Sequence, residues 1–327
     1  MRRREFIAGF CSVCWAAAAG AEQPGPVRKI GLIMPSRAED AQGQRQFKHF
    51  NFGLERLGWI NGRNISLFVR WSGGEPSLAK QFANELVRLE PELIVAGSTI
   101  GLEAARSATS KIPIVFVAVS DPVAAGYVKS LASPGGNITG FSSFDIETGG
   151  KWLEILKEVV PTASRVGILM DPDYAGYITR WRAMAELGPS FGVELSQVAI
   201  QARGDIEDAI SAFAKEPKGA LIVFSSALTS ANSGLIVNLA DRYRLPTIYP
   251  FAFYVKKGGL ISYGIDTVDL FERSASYVDR ILRGTKPADL PIQRPTKFEM
   301  AINLKTAKAL GIAVPQTLLI EADEVIE

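Results

Sequence analysis

The sequence predicts an α/β chain of two lobes, each built on a parallel sheet, joined by a hinge of several strands. Three features predict it. Short apolar runs occur without polar alternation, helical periodicity fills the gaps between them, and the chain is longer than one hydrophobic core serves. Runs that lack alternation belong to strands covered on both faces. Strands separated by helices connect through right-handed crossovers, which makes their sheets parallel.

Residues 30–34 form the first such run, and residues 93–96 and 114–119 follow. Between them Leu78, Phe82, Leu86 and Leu89 recur at helical spacing behind Pro76, a residue suited to a first helical turn. This set of elements ends near residues 138–141. A second set opens with a helix over about 146–160, closed by Pro161, and continues with runs at 166–170 and 220–224. Ile206, Ile210 and Phe213 mark one of its helices; Phe271, Ala275, Val278 and Leu282 mark a later one. The rhythm therefore occurs twice, with a lobe boundary near residues 143–145. Runs at 246–249 and 258–264 read as two further strands that return the chain to the first lobe. The proline-rich stretch 287–295 reads as another crossing. On this reading lobe 1 comprises 28–144 plus about 251–285, and lobe 2 comprises 145–250 plus about 290–327.

The N-terminus reads as an export signal. Arg2, Arg3 and Arg4 precede an apolar stretch from Phe6 to about Ala19, and Ala19-Gly20-Ala21 fits a cleavage site near Ala21. Arg3-Arg4-Glu5-Phe6-Ile7 matches a twin-arginine signal, and an ordinary secretory signal with three arginines reads the same way. The expected location is the periplasm. Cys11 and Cys14 lie inside this segment, so their C-x-x-C spacing leaves with it. Removing residues 1–21 takes away three arginines and one glutamate and leaves 33 basic and 33 acidic side chains. A neutral chain of about 305 residues gives no electrostatic reason to expect nucleic acid as a partner.

No catalytic, metal or cofactor signature stands out. The single histidine, His49, sits among Phe47, Phe50 and Phe52 and reads as a helix-surface or core-edge residue. One histidine excludes an H-E-x-x-H zinc site, and there is no G-x-S-x-G, P-loop or G-x-G-x-x-G string. An exported hydrolase would need a nucleophile and base that the sequence does not display. A cytosolic repressor would need a helix-turn-helix where the export signal stands.

Open parallel sheets bind ligands beyond the carboxyl ends of their strands. The candidates are therefore Pro35 and Ser36, Ser98 and Thr99, Ser120 and Asp121, then Asp173 and Tyr174, and Ser225 and Ser226. This set is small and polar, with one aromatic, which suits a cleft that hydrogen-bonds a small solute. Asp121 has two readings: a carboxylate for a ligand ammonium, or a cap followed by Pro122. Ser98 and Thr99 likewise read as helix caps or as anchors for a carboxylate. Tyr174 either stacks on a ligand or covers a loop.

Several strings carry a resemblance to a known family. They are 112–116 (IPIVF) through 120–126 (SDPVAAG), 136–140 (GNITG), 258–264 (GGLISYG), 281–284 (ILRG), 287–291 (PADLP), 302–311 (INLKTAKALG) and 322–326 (ADEVI). The chain resembles the ABC transporter substrate-binding proteins that include the tryptophan-binding importer component. The resemblance implies a type I periplasmic binding protein of two Rossmann-like lobes, with a small-molecule solute clamped between them. It also implies an ABC permease in the inner membrane as partner, an amino acid or related acid as solute, and a cleft lined by Ser98, Thr99 and Asp121. Presentation of the closed form to a signalling receptor is the alternative use of the same clamp. The sequence departs from the family in the second lobe. Asp171-Pro172-Asp173-Tyr174-Ala175 stands where many relatives carry an Asn, and Ser225-Ser226 stands where many carry an Asp-Asn-type pair. These replacements leave the solute class open between amino acids and aromatic or other acids.

Overall fold

The computed structural model describes residues 27–143, 147–173 and 175–327. The segment read as an export signal, both cysteines, residues 144–146 at the expected boundary, and Tyr174 lie outside the described residues. The chain begins with β1 (Arg28–Met34), α1 (Ala41–Arg56), β2 (Ile65–Trp71), α2 (Pro76–Arg88), β3 (Leu93–Gly97), α3 (Ser98–Ala108), β4 (Ile114–Val119) and β5 (Ile138–Ser142). These strands make a five-stranded parallel sheet in the order β2-β1-β3-β4-β5.

The chain continues with α4 (Glu147–Val159), β6 (Arg165–Met170), α5 (Ala175–Leu187), β7 (Glu194–Ala199), α6 (Asp205–Ala214), β8 (Gly219–Val223), α7 (Ala227–Ala231) and α8 (Ser233–Arg242). Then come β9 (Thr247–Tyr249), α9 (Ala252–Lys256), β10 (Ile261–Ile265), α10 (Thr267–Leu282), β11 (Phe298–Asn303), α11 (Leu304–Leu310), α12 (Gln316–Glu321) and β12 (Glu324–Ile326). The second sheet has seven strands in the order β12-β11-β10-β9-β8-β6-β7, and only the β10–β11 pair is antiparallel.

Burial on both faces explains the unbroken apolar runs. In β1, Ile30, Leu32 and Met34 pack toward α1 and α10, while Ile33 packs toward α2 and α3. In β6, Val166, Ile168 and Met170 face the side of α4, α5, α11 and α12, and Leu169 faces α6 and α8. Edge strands β2 and β7 are covered less and mix polar with apolar residues. Helix α2 opens on Pro76, while Asp40 caps α1 by accepting from the Gly43 N–H at 2.7 Å.

The segment expected to return to the first lobe does so only in part. Strands β9 and β10 belong to the second sheet: β9 lies beside β8, and β10 pairs with β9 and β11. An apolar run records burial and not the sheet that provides it, so the sequence did not choose between the two. Helix α10 goes back, placing Leu270, Phe271, Ala275, Val278 and Leu282 in one core with Phe50 and Leu54 of α1. His49 serves this packing, with Nδ1 2.9 Å from Glu272 Oε2.

Three chain segments join the sheets: the link between β5 and α4, Asp266 between β10 and α10, and residues 290–297 before β11. The third runs beside β5. Gln293 N–H donates to the Gly140 carbonyl at 2.9 Å, and Ser142 N–H donates to the Gln293 carbonyl at 2.8 Å. Asp266 N–H donates to the Lys297 carbonyl at 3.0 Å, tying the second segment to the third. The same Asp266 caps α10 through the Val268 and Asp269 N–H groups at 2.9 and 3.0 Å.

Glu299 lies just past these segments, opposite Gly264 in the β10–β11 ladder. Burial pushes its carboxyl up from 4.5 to about 7; Asp266 and Asp323 add to the rise, and Arg45 and Lys256 oppose it. The folded chain therefore holds this proton more tightly than the unfolded chain. The contribution of Glu299 to stability is fully present below about 4.5 and is lost as the pH rises from there to about 7. Glu299→Gln is expected to flatten that part of the thermal-midpoint profile, read by circular dichroism between pH 4 and pH 8. A second expectation concerns Gly264, where a Cβ would overlap the Pro250 carbonyl oxygen. Gly264→Ala is expected to cost about 1–3 kcal/mol in denaturant unfolding, because the obstacle is backbone and cannot rotate away.

Candidate functional site

Strands β1, β3 and β4 are neighbours in the first sheet, so the candidates that follow them share one edge. Pro35 and Ser36 follow β1; Ser98 and Thr99 open α3 directly after β3. These two ends are pressed together at Gly97, where a Cβ would lie 2.7 Å from Pro35 Cδ and 3.0 Å from the Ile33 carbonyl oxygen. Ser98 then adopts a positive φ of 67°. Gly97 is the N-cap of α3 and no side chain caps that helix, so the capping reading of Ser98 and Thr99 is not what forms. Ser36 Oγ is buried and has no hydrogen-bond partner among the described residues.

Strand β4 ends irregularly. Its register against β5 shifts between Val117 and Val119, with Ala118 at φ 59°. Bulges of this kind re-aim the residues that follow. Ser120 Oγ comes to 3.2 Å from Ser143 Oγ. Asp121 has φ 32°, and its Oδ1 accepts from the Ala124 N–H at 3.0 Å. The capping role of Asp121 is therefore present. Asp121 also lines a cavity of about 270 Å³ that reaches Arg294 on the third joining segment.

On the second sheet, β6 and β8 are neighbours and carry the remaining candidates. Asp171 Oδ1 accepts from the Asp173 N–H at 3.0 Å, and Asp173 Oδ2 accepts from the Gln201 side-chain amide, which fixes the loop. Ser226 caps α7: its Oγ accepts from the Thr229 N–H at 3.0 Å, and Thr229 Oγ1 accepts from the Ser226 N–H at 2.9 Å. The Ser225 carbonyl accepts from the Tyr177 hydroxyl. The structure thus gathers the described candidates into two groups, one at the carboxyl edge of each sheet.

Sequence reasoning did not single out Tyr177 or Arg180 on α5. Arg180 is only 7% exposed, with its guanidinium carbon 5.7 Å from the Trp152 ring centre and 5.5 Å from that of Phe224. Desolvated cation–π contacts of this kind contribute about 2 kcal/mol. Helical side chains tilt toward the N-terminus, so Arg180 reaches back toward the strand ends. The available signal was an arginine in a buried stripe, with Tyr177, Arg180 and Met184 at spacings of three and four. Among the described residues no group of three or more His, Cys, Asp or Glu is placed to hold a metal ion.

The cap predicts how Asp121 variants behave in the absence of any solute. Asp121→Ala removes the acceptor for Ala124 and is expected to lose about 1 kcal/mol of stability. Asp121→Asn keeps an acceptor oxygen and is expected to unfold close to wild type; urea denaturation of both variants checks this.

Comparison with known proteins follows the same outline. The sequence pattern of the family described as ABC transporter substrate binding protein matches residues 36–326. The chain is 29% identical over 265 residues to the tyrosine-binding protein of Clostridioides difficile (strain R20291), a match that spans 81% of this chain and 76% of that one. The structure of an ABC domain in complex with L-Trp from Streptococcus pneumoniae superposes with a TM-score of 0.82 at 25% identity, covering 91% of this chain and 99% of that chain. The ligand-free, open structure of a substrate-binding protein with adhesive properties from Clostridium difficile gives a TM-score of 0.71 at 27% identity, covering 92% and 99%. The chain belongs to the ABC transporter substrate-binding protein family and has the type I periplasmic binding protein fold.

Proposed function

We propose that this chain is the extracytoplasmic solute-binding component of an ABC importer, and that it closes two lobes around an amino acid or related acid. The observation that carries the reading is the placement of small polar side chains at the carboxyl edges of two mainly parallel sheets joined by three short segments. One lobe comprises the first sheet with α10; the other comprises the second sheet, including β9, β10 and β11. A solute that touches both edges makes more contacts in the shut form than in the open one, and that difference drives closure. The closed form is then what an inner-membrane permease recognises.

Two relatives support amino acids as the solute class: one carries the name tyrosine-binding protein, and another was solved with L-Trp. The N-terminal basic and apolar segment supports export before function. Binding without chemistry fits the use of His49, which ties α1 to α10 and is not among the strand-end candidates.

Thermal unfolding of the chain from Glu22 onward, against L-amino acids, aromatic acids and sugars, tests the reading. An L-amino acid is expected to raise the midpoint in proportion to RT ln(1 + [L]/Kd), about 2.7 kcal/mol of stabilisation at one hundred times Kd. A shift with sugars and none with amino acids or related acids would overturn the proposed solute class.

A further inference from the structure

We infer that Glu299 is a proton-controlled wedge between the lobes: ionised, it favours their separation and weakens solute binding; protonated, it favours their closure. The inference deepens the proposed function and rests on the two-lobed closure described there.

Glu299 stands on β11 just past the third joining segment, and its ladder partner Gly264 stands on β10 just before the second. Paired residues project on the same face of a sheet. On that face a Cβ at Gly264 would meet the Pro250 carbonyl oxygen, so β10 sets backbone rather than a side chain opposite the carboxylate. Glu299 is half-buried, and among the described residues it makes no hydrogen bond and no ion pair. The charged groups around it come from both lobes and from the junction. Lys256 ends α9 of the second lobe, and its Nζ is held 3.0 Å from Glu324 Oε2. Asp323, also of the second lobe, accepts from the Met300 N–H at 2.8 Å. Asp266, in the second joining segment, is occupied in capping α10. Arg45 belongs to α1 of the first lobe, is exposed, and enters no ion pair among the described residues. The neighbouring Gln46 donates to the Thr267 hydroxyl at 2.9 Å, which holds this part of α1 beside the junction. Phe251, next to Pro250 in the chain, packs against the cores of both lobes.

A carboxylate in this corner is short of water and has no donor of its own. Burial is the largest influence on its proton and Asp266 the next, both ahead of the opposing pull of Arg45. Moving the lobes apart takes α1 away from the corner and admits water, so the ionised form gains more hydration than it loses in attraction to Arg45. The neutral form has no such gain. The shut arrangement therefore holds the proton more tightly than the open one. By linkage, closure is strongest at acid pH and weakens as the pH rises through about 7. Histidine is the usual side chain to change charge in this range. The single histidine, His49, is bonded to Glu272 between α1 and α10 and does not cross between the lobes. A clamp controlled in this way takes up solute in acid surroundings and gives it up toward neutral pH.

The test measures lobe separation without any solute. The chain from Glu22 onward contains no cysteine, so Ser77→Cys beyond β2 and Ala202→Cys beyond β7 place one spin label on each lobe at exposed positions. The distance between the labels, read by double electron–electron resonance, is expected to lengthen from pH 5.5 to pH 8. Glu299→Gln should keep the short distance throughout. Arg45→Gln should move the midpoint to higher pH, because Arg45 favours the ionised carboxylate. Calorimetric titration with L-tyrosine and L-tryptophan is expected to show affinity falling about tenfold over the same range in the wild type and staying level in Glu299→Gln. If the wild-type distance is the same at both pH values, or lengthens equally in Glu299→Gln, the inference falls and the two-lobed clamp stands. If the distance responds as expected while neither amino acid binds at any pH, the inference stands and the proposed solute class falls.

Discussion

Helix α10 starts one residue after β10, a strand of the second sheet, yet its apolar face lies in the core of the first. Phe271, Ala275 and Val278 are buried there against α1. Full burial of large apolar side chains stabilises by about 1.5–3 kcal/mol each, so this packing is a major part of what completes the first core. The arrangement constrains everything near it. Asp266 must leave one sheet and begin a helix on the other within a single residue, and residues 290–297 must bring the chain back. The two sheets are thus bound covalently, with little chain available between them.

The carboxyl edge of the first sheet pays for its shape in backbone strain. Ser98, Ala118 and Asp121 all have positive φ without being glycine. Such conformations cost on the order of 1–3 kcal/mol each and persist only where their surroundings leave no alternative. Here the surroundings are β3 and β4, central strands buried on both faces. The rigid core holds the rim in conformations that an isolated loop would abandon, and the candidate side chains inherit that fixed placement.

Much of this architecture was legible because burial leaves a mark on local sequence. The runs around Leu32, Val95, Val117 and Ile168 lack polar alternation because each strand has helices on both faces. Pairing partners leave no such mark. Ile261 looks the same whether it joins one sheet or the other, and only its ladder with Ile302 and Ile248 decides the matter. The same limit applied to the site. Strand ends could be located, which identified the neighbourhood of Ser98, Asp121 and Ser225, but Arg294 lies far along the chain from Asp121 and meets its cavity only after folding. The choice between cap and ligand contact at Asp121 depended on the position of the Ala124 N–H, a distance that no spacing rule encodes.

The late return of α10 also bears on how the chain can be made. The first sheet is complete by Ser142, but the second of the two helices that cover one of its faces ends only at Leu282. During synthesis the apolar residues that α10 will cover on β1 and α1 therefore wait, only partly covered on that side, while the second sheet up to β10 emerges. Contacts so distant in sequence make folding slow and leave partly folded chains prone to associate through the unfinished face. The first half of the molecule cannot mature ahead of the second; the two are obliged to finish together.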